Sequence, residues 1–470
     1  MTVETTRTES DTLGAIEVPE ACYWGAQTQR SIENFPIGGQ TFSPLLIRAL
    51  FIVKAAAARI NADLGKLDNH LCDLILQACE EGLSGRFDDQ FPLVVWQTGS
   101  GTQTNMNANE VIANRANELA GQAKGGKKPV HPNDHVNLSQ SSNDVFPTAM
   151  HIAAVLALHE HLQPSLHALS ASLAERSKAF SFLVKIGRTH MMDATPLTLG
   201  QEFSGYVAQL ELAQLSLEQA RQDLYDLALG GTAVGTGLNS HPQWAEKVAW
   251  EIGQYTGLPF RSAPNKFMAL SAHGASLKVS AALRQLASAL LVIGNNLRLL
   301  ASGPRCGLGE LILPANEPGS SIMPGKVNPT QIEALTMVAA QVMGNDAAVC
   351  VAASQAHLQL NLFKPVIIHN VLQSIGLLAD ACNSFRERCV EGMTANESAI
   401  GGHLHNSLML VTALAPQIGY DEAASVAKQA YEENKTLLDV VLVRGLMDKE
   451  TFHRLTNPTL MIGPGTDPVS

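Results

Sequence analysis

Residues 317–333 read EPGSSIMPGKVNPTQIE. Two Pro-Gly pairs, Pro318-Gly319 and Pro324-Gly325, flank Ser320 and Ser321 and precede Lys326. Glycine admits backbone conformations closed to other residues and proline fixes φ, so this spacing predicts a shaped loop, not a strand or helix. The loop has a defined end. Asn328 suits a helix N-cap, Pro329 the first helical position, and Gln331 the capping-box position. Hydroxyls, free backbone N–H groups and one ammonium therefore precede a helix start, a natural place to bind an anion. A plain surface loop with an ordinary cap fits the local physics equally well, so the rest of the chain has to decide.

On either side of this loop the sequence is mostly helical. The apolar stripe Phe203, Val207, Leu210, Ala213, Leu217, Ala220, Leu224, Leu227 advances in steps of three and four, which makes one face of a long helix. Leu283, Leu286, Leu290, Ile293, Leu297 and Leu300 repeat the pattern. Residues 333–363 form another long candidate, apolar nearly all round. The uncharged run 347–363 is long enough to consider for a membrane, but Ser354, Gln355, His357, Gln359 and Asn361 fall within it, which favours a helix buried in a large core. Such helices predict a bundle that assembles further. Earlier in the chain, helix formers dominate residues 45–64 and 68–82, and strand or turn character appears near 13–18. Beyond Pro365 the helices are expected to shorten, and residues 449–470, with Pro458, Gly463, Pro464, Gly465 and Pro468, to form a loose end.

Composition narrows the function. The 470 residues allow one large or two to three smaller domains, and a 46% hydrophobic fraction supplies a substantial core. A formal net charge of −11 argues against nucleic acid or anionic membrane as partners, while leaving room for a local cationic site. Seven cysteines (Cys22, Cys72, Cys79, Cys306, Cys350, Cys382, Cys389) show no CxxC, which suggests reduced thiols in a cytosolic-type compartment and no iron–sulfur or structural zinc ligand set. The polar start, MTVETTRTESD, has no apolar signal region, so a cytoplasmic location is expected.

Polar islands interrupt the helices. WQTGSGTQTNMNAN (96–109) reads as a loop that places hydroxyls and amides around a ligand, ahead of a helix from Glu110. His131 and His135 have metal-like spacing, but no third His or Cys lies close in sequence, so cap-and-turn chemistry is the stronger reading. GRTHMMDATP (187–196) precedes one long helix. GGTAVGTGLN (230–239) follows it, without the strand–helix context of a dinucleotide fingerprint.

TGSGTQTNMNANE (98–110), HPNDHVNLSQSSNDVFPTAMH (131–151), GRTHMMDATPLTLGQE (187–202), LGGTAVGTGLN (229–239) and GSSIMPGKVNP (319–329) occur in this order. Together they closely resemble the motifs of the fumarase/aspartase superfamily, and specifically the cofactor-free class II fumarases, with similarity extending from about residue 13 to the end. The resemblance implies an all-α, three-domain subunit: an N-terminal domain over 1–140, a central five-helix bundle over 141–365 and a small C-terminal helical domain over 366–470. It implies a homotetramer with active sites built from three chains, which would explain why the polar islands are scattered. No cofactor, metal, nucleic acid or membrane is implied; the ligand is a small dicarboxylate, fumarate or malate, of the tricarboxylic acid cycle.

The resemblance also assigns roles. Ser320 acts as an alkoxide base sustained by loop N–H groups and the Lys326 charge. Lys326, Val327 and Asn328 hold the substrate carboxylate, with Ser321 a binding residue. His190 handles the leaving hydroxyl through water, and Glu333 orients it. Ser100, Gly101, Thr102, Ser141, Ser142, Asn143 and Thr189 bind the substrate. His131, Pro132, Asn133 and Asp134 match a second, non-catalytic dicarboxylate site. Aspartate ammonia-lyase is the nearest alternative. Those enzymes carry Gln where this chain has His190 and Asn where it has His131, and tend to read Ser-Thr at Ser141-Ser142. Argininosuccinate and adenylosuccinate lyases share the Ser-Ser loop but not the SGTQTNMN and GRTH contexts. A catalytically inactive structural relative is a further alternative, disfavoured because every catalytic position is filled. Two departures from the pattern are Gln359 in HLQLN, where Glu is usual, and Met191-Met192, where Leu-Gln is commoner.

Overall fold

A computed structural model describes residues 5–464. Long helices dominate it, and the described strands form five two-stranded sheets, so the fold is all-α. Packing divides the chain into two compact units. One comprises the described residues of Met1–Pro164, Ala213–Ala287 and Val338–Ala379; the other those of Ser165–Leu212, Ser288–Met337 and Asp380–Ser470.

The first unit is built around the helix Pro44–Asp63, N-capped by Ser43, whose hydroxyl accepts from the Leu45 N–H. It packs on the helices Asn69–Leu83, Ser142–Ala157 and Trp244–Thr256. Leu46, Leu50, Phe51, Val53 and Ala57 lie within the core. The polar stretch 96–109 departs from the sequence expectation: it is a loop only as far as Gly101, and the helix Thr102–Leu119 begins within it. Asparagine is a poor helix former, yet tertiary partners here offset that cost. Asn105 Nδ2 donates to Asn137 Oδ1 and Ser142 Oγ, and Asn107 Nδ2 to the Gln90 carbonyl.

The second unit contains an antiparallel hairpin, Val184–Thr189 with Met192–Thr198. Ile186 is buried with Leu404, Leu414, Val426, Val440 and Leu455 from the C-terminal helices.

The predicted stripes are found buried, apart from Val207, which is half-buried. Phe203, Leu210, Ala213, Leu217 and Ala220 lie on the helix Leu199–Arg221, and Leu283 through Leu300 on Gly274–Leu300. Leu224 and Leu227 are buried beyond that first helix, in a 3-10 turn and a short strand. The helix predicted over 333–363 stops earlier, at Thr330–Ala353. Asn361 Nδ2 donates to the Ala352 carbonyl at 3.0 Å, ending the helix, and residues 356–361 pair as a small hairpin. The polar residues that argued against a membrane helix thus mark its end. Three helices, Gly274–Leu300, Thr330–Ala353 and Lys364–Val390, are long and apolar enough to cross a membrane by length and composition. Buried polar pairing occurs within that set: Ser280 Oγ donates to Asp346 Oδ1 at 2.7 Å, and Arg284 pairs with the same carboxylate at 2.8 Å. The expected shortening of helices begins only after the 22-residue helix Lys364–Phe385. The tail is more ordered than its prolines suggested, with a helix Lys449–Leu455 and a 3-10 turn Pro458–Leu460. Gly465 and Pro468 lie outside the described residues.

Candidate active site

The loop 317–329 is folded back on itself. Gly319 bridges to Pro324, and the Ser320 N–H donates to the Lys326 carbonyl at 3.3 Å. Gly319 has φ +87°, and a Cβ there would stand 1.9 Å from that carbonyl oxygen, so only glycine fits. Lys326 Nζ donates to Asn328 Oδ1 at 2.6 Å, so the ammonium is held at the loop's exit, ahead of the helix Thr330–Ala353. The cap differs from the expectation. Asn328 spends its side-chain oxygen on Lys326, and Gln331 Oε1 accepts from Ser384 Oγ at 2.7 Å. The first-turn N–H groups of Ile332 and Glu333 are satisfied by the Pro329 carbonyl. Ser320 is half-buried; Ser321, Lys326 and Val327 are exposed, as is Glu333 on the first turn of the helix.

His190 and Met191 form the two-residue tip of the hairpin, with φ +54° and +64°. Two consecutive left-handed residues are what a tight hairpin turn of matching twist needs, usually met by Asn-Gly; here the positions hold His and Met. Thr189, His190 and Met191 are all exposed. Among the described residues no hydrogen bond or ion pair joins His190 to Ser320, Lys326 or Glu333, although all four belong to one unit.

The first unit carries the other predicted residues. Gly101, at φ +77°, turns the chain into the helix Thr102–Leu119, and its missing side chain makes room for the Phe146 ring. Ser100 and Thr102 share a hydroxyl–hydroxyl hydrogen bond of 2.8 Å. Ser141 caps the helix Ser142–Ala157 in a full capping box with Asp144. Ser142 Oγ accepts from Asn105, and Asn143 Nδ2 donates to the Ala233 carbonyl at 2.8 Å. His131 serves as a cap: its Nδ1 accepts from the N–H groups of Asn133 and Asp134, at the start of the turn Pro132–Val136. His135 Nδ1 accepts from the His131 N–H at 2.9 Å. Among the described residues no group of three or more His, Cys, Asp or Glu is placed to hold a metal ion.

Sequence reading missed the buried charges that support these residues. Asp144 accepts from the N–H groups of Ser141, Gly230 and Thr232. It thereby ties the capped helix to the glycine-rich island 230–239. Burial pushes its carboxyl up to about 6, opposed by those N–H donors and by the Lys54 charge. Lys54, fully buried, donates to Asn137 Oδ1 and Gln140 Oε1. Burial lowers its ammonium to about 7, with Asp144 opposing. Glu110 accepts from the N–H groups of Gly25, Gln27 and Thr28 and from the Thr28 hydroxyl, and burial raises it to about 7. The signal for Lys54 was present as a lone cation in ALFIVKAAAA; that for Asp144 was the Ser-x-x-Asp spacing.

A family model described as a lyase matches residues 14–344, and one described as the fumarase C C-terminus matches residues 410–463. The fumarate hydratase class II of Thermosynechococcus vestitus is 60% identical over 458 residues, covering 97% of this chain and 98% of the relative. The chain belongs to the class II fumarase family. A second member, fumarate hydratase class II 1 of Pseudomonas aeruginosa, is 59% identical over 98% of this chain and 99% of its own length. The crystal structure of the Schistosoma mansoni class II fumarase superposes with a TM-score of 0.96 at 44% identity, over 98% of this chain and 100% of that one. Within this fumarase fold the two departures from pattern are placed plainly. Gln359 is exposed at the tip of the 356–361 hairpin, and Met191 and Met192 are exposed at the tip that carries His190.

Proposed function

We propose that the chain interconverts fumarate and (S)-malate by acid–base catalysis, as a fumarate hydratase of the hydro-lyase class. The observation that carries this is the loop 317–329: a serine in a bridged turn, and an ammonium held by Asn328 at the loop's exit, ahead of a helix start. The difficult step is removal of the C3 proton of malate, because the electron pair must pass into an adjacent carboxylate. The resulting aci-carboxylate dianion is stabilised by donors aimed at the developing charge. Ser320 takes the proton as alkoxide, and Lys326, Val327, Asn328 and Ser321 hold the carboxylate. His190 then delivers a proton, through water, to the hydroxyl leaving C2, with Glu333 orienting the imidazole. Ser100, Gly101, Thr102, Ser141, Ser142, Asn143 and Thr189 bind the dicarboxylate, and His131, Pro132, Asn133 and Asp134 form a second anion site.

The site is assembled from three copies in a tetramer. Two observations support this reading: His190, Lys326 and Glu333 are exposed in a single chain, and only 33% of the most apolar stretch of Thr330–Ala353 is buried. Light scattering should give about four times the 50.1 kDa chain mass. The enzyme would act in the cytoplasm.

The decisive assay follows the fumarate absorbance band in separate cuvettes of malate and aspartate, each with chelator. Signal from malate alone is expected. Signal from aspartate alone would make the chain an ammonia-lyase, and silence in both would favour an inactive relative. Ser320→Ala should cut turnover by more than the roughly 10²–10⁴-fold usual for one acid–base group; near-parental activity would remove Ser320 as base.

A further inference from the structure

Beneath the His190 turn lies a buried ion cluster that none of the assigned roles uses. Lys185 Nζ is 2.6 Å from Glu202 Oε2 and 2.8 Å from Glu310 Oε2, and Arg188 Nη2 is 2.8 Å from Glu310 Oε1. Glu310 is fully buried and Lys185 nearly so. Burial would push the Glu310 carboxyl up, but Arg188 and Lys185 overcome it and leave it lowered. Two cations face two carboxylates, and Tyr206 Oη donates to Glu202 at 3.0 Å.

The placement of these groups is specific. Lys185 and Arg188 are three apart on one strand, so regular alternation would send them to opposite faces. The hairpin's register shifts between Ile186 and Arg188, and both side chains reach the same carboxylate. Gly187, at the shift, has no room for a Cβ, which would lie 2.7 Å from the Thr195 carbonyl oxygen. Arg188 is two residues from His190. Glu310 is fixed independently: its N–H donates to the Leu300 carbonyl at 2.8 Å, and its carbonyl accepts from the Asn396 N–H at 2.9 Å. From Glu310 the chain runs through the strand Leu311–Ile312 into the loop that carries Ser320. One carboxylate therefore joins the root of the serine loop to the base of the histidine turn. A buried ion cluster seldom adds net stability over apolar packing, whereas its directional bonds fix relative position.

We infer that Glu310 is a positioning residue: through Lys185 and Arg188 it anchors the base of the His190 turn and so fixes where that turn presents the imidazole. The inference rests on the proposed hydratase reading. Displacing a catalytic group by about 1 Å can cost about 10²-fold in rate. In the full-length enzyme, Glu310→Gln should lower kcat for fumarate hydration about 30- to 100-fold and leave KM within about threefold. Glu310→Asp, which restores the charge, should recover part of the loss. Phe452→Leu, in the buried C-terminal cluster, is the stability control; it should lower the melting temperature while keeping kcat. Parental kcat in a folded Glu310→Gln, or an equal kcat loss in the control, would overturn the inference. If Glu310→Gln does not fold, Arg188→Lys, which keeps the charge but loses the guanidinium fork, decides by the same criterion. An unmodified enzyme that fails to hydrate fumarate would instead refute the functional reading.

Discussion

Gly319→Ala tests whether the fold of the 317–329 loop, and not only its side chains, is needed for turnover. The native φ of +87° costs an L-residue about 1–2 kcal/mol. The new methyl would stand 1.9 Å from the Lys326 carbonyl oxygen and 2.8 Å from its carbon, distances no packing tolerates. The loop must therefore open. Opening breaks the bridge to Pro324 and the hydrogen bond from Ser320 N–H to Lys326, worth about 0.5–1.5 kcal/mol. Together about 1.5–3.5 kcal/mol separates the variant from the native loop, which corresponds to a roughly 10- to 400-fold smaller population in the competent form. Steady-state kcat/KM for fumarate should fall by that factor. Thermal stability should hardly change, because the loop is exposed and its opening leaves the buried core intact. Circular dichroism melting alongside the kinetics separates the two effects. A kcat/KM within threefold of the parent would refute the argument that loop closure presents Ser320. A matching collapse of melting temperature would refute the claim that the loop is energetically separate from the core.

His190→Gln keeps a polar side chain on the strained turn but removes the titrating imidazole, so hydration should fall by about 10²–10⁴-fold; unchanged hydration in the same assay would exclude His190 as the acid. Glu110 supplies a pH test. Its folded-state value, raised to about 7 from 4.5, gives stability that is complete below 4.5 and lost as the pH rises through 7. That amounts to about 3 kcal/mol across the window. Denaturant titrations between pH 4.5 and 8 should show this fall, and Glu110→Gln should flatten it; parallel pH curves for the two proteins would contradict the assignment.

The sequence by itself determined the features that depend on neighbours a few residues away. The stripes from Phe203 to Ala220 and from Leu283 to Leu300 fall on helices because a 3.6-residue period puts them on one face. Ser141 caps its helix because its partner, Asp144, is three residues on. The Pro-Gly pairs announced a shaped loop, and the order of five polar motifs identified the family. Only the tertiary structure decided features whose partners are distant in the chain. Asn105 and Asn107 belong to a helix because Asn137, Ser142 and Gln90 offset their poor propensity. Asn361 ends a helix that apolar composition alone would have continued. Asn328, a textually ideal cap, instead holds Lys326. Glu310 meets Lys185 and Arg188 across more than a hundred residues, and no local pattern marks that pairing. A buried charge must find its counter-charge wherever the fold brings one, so its partner is set by topology and not by spacing.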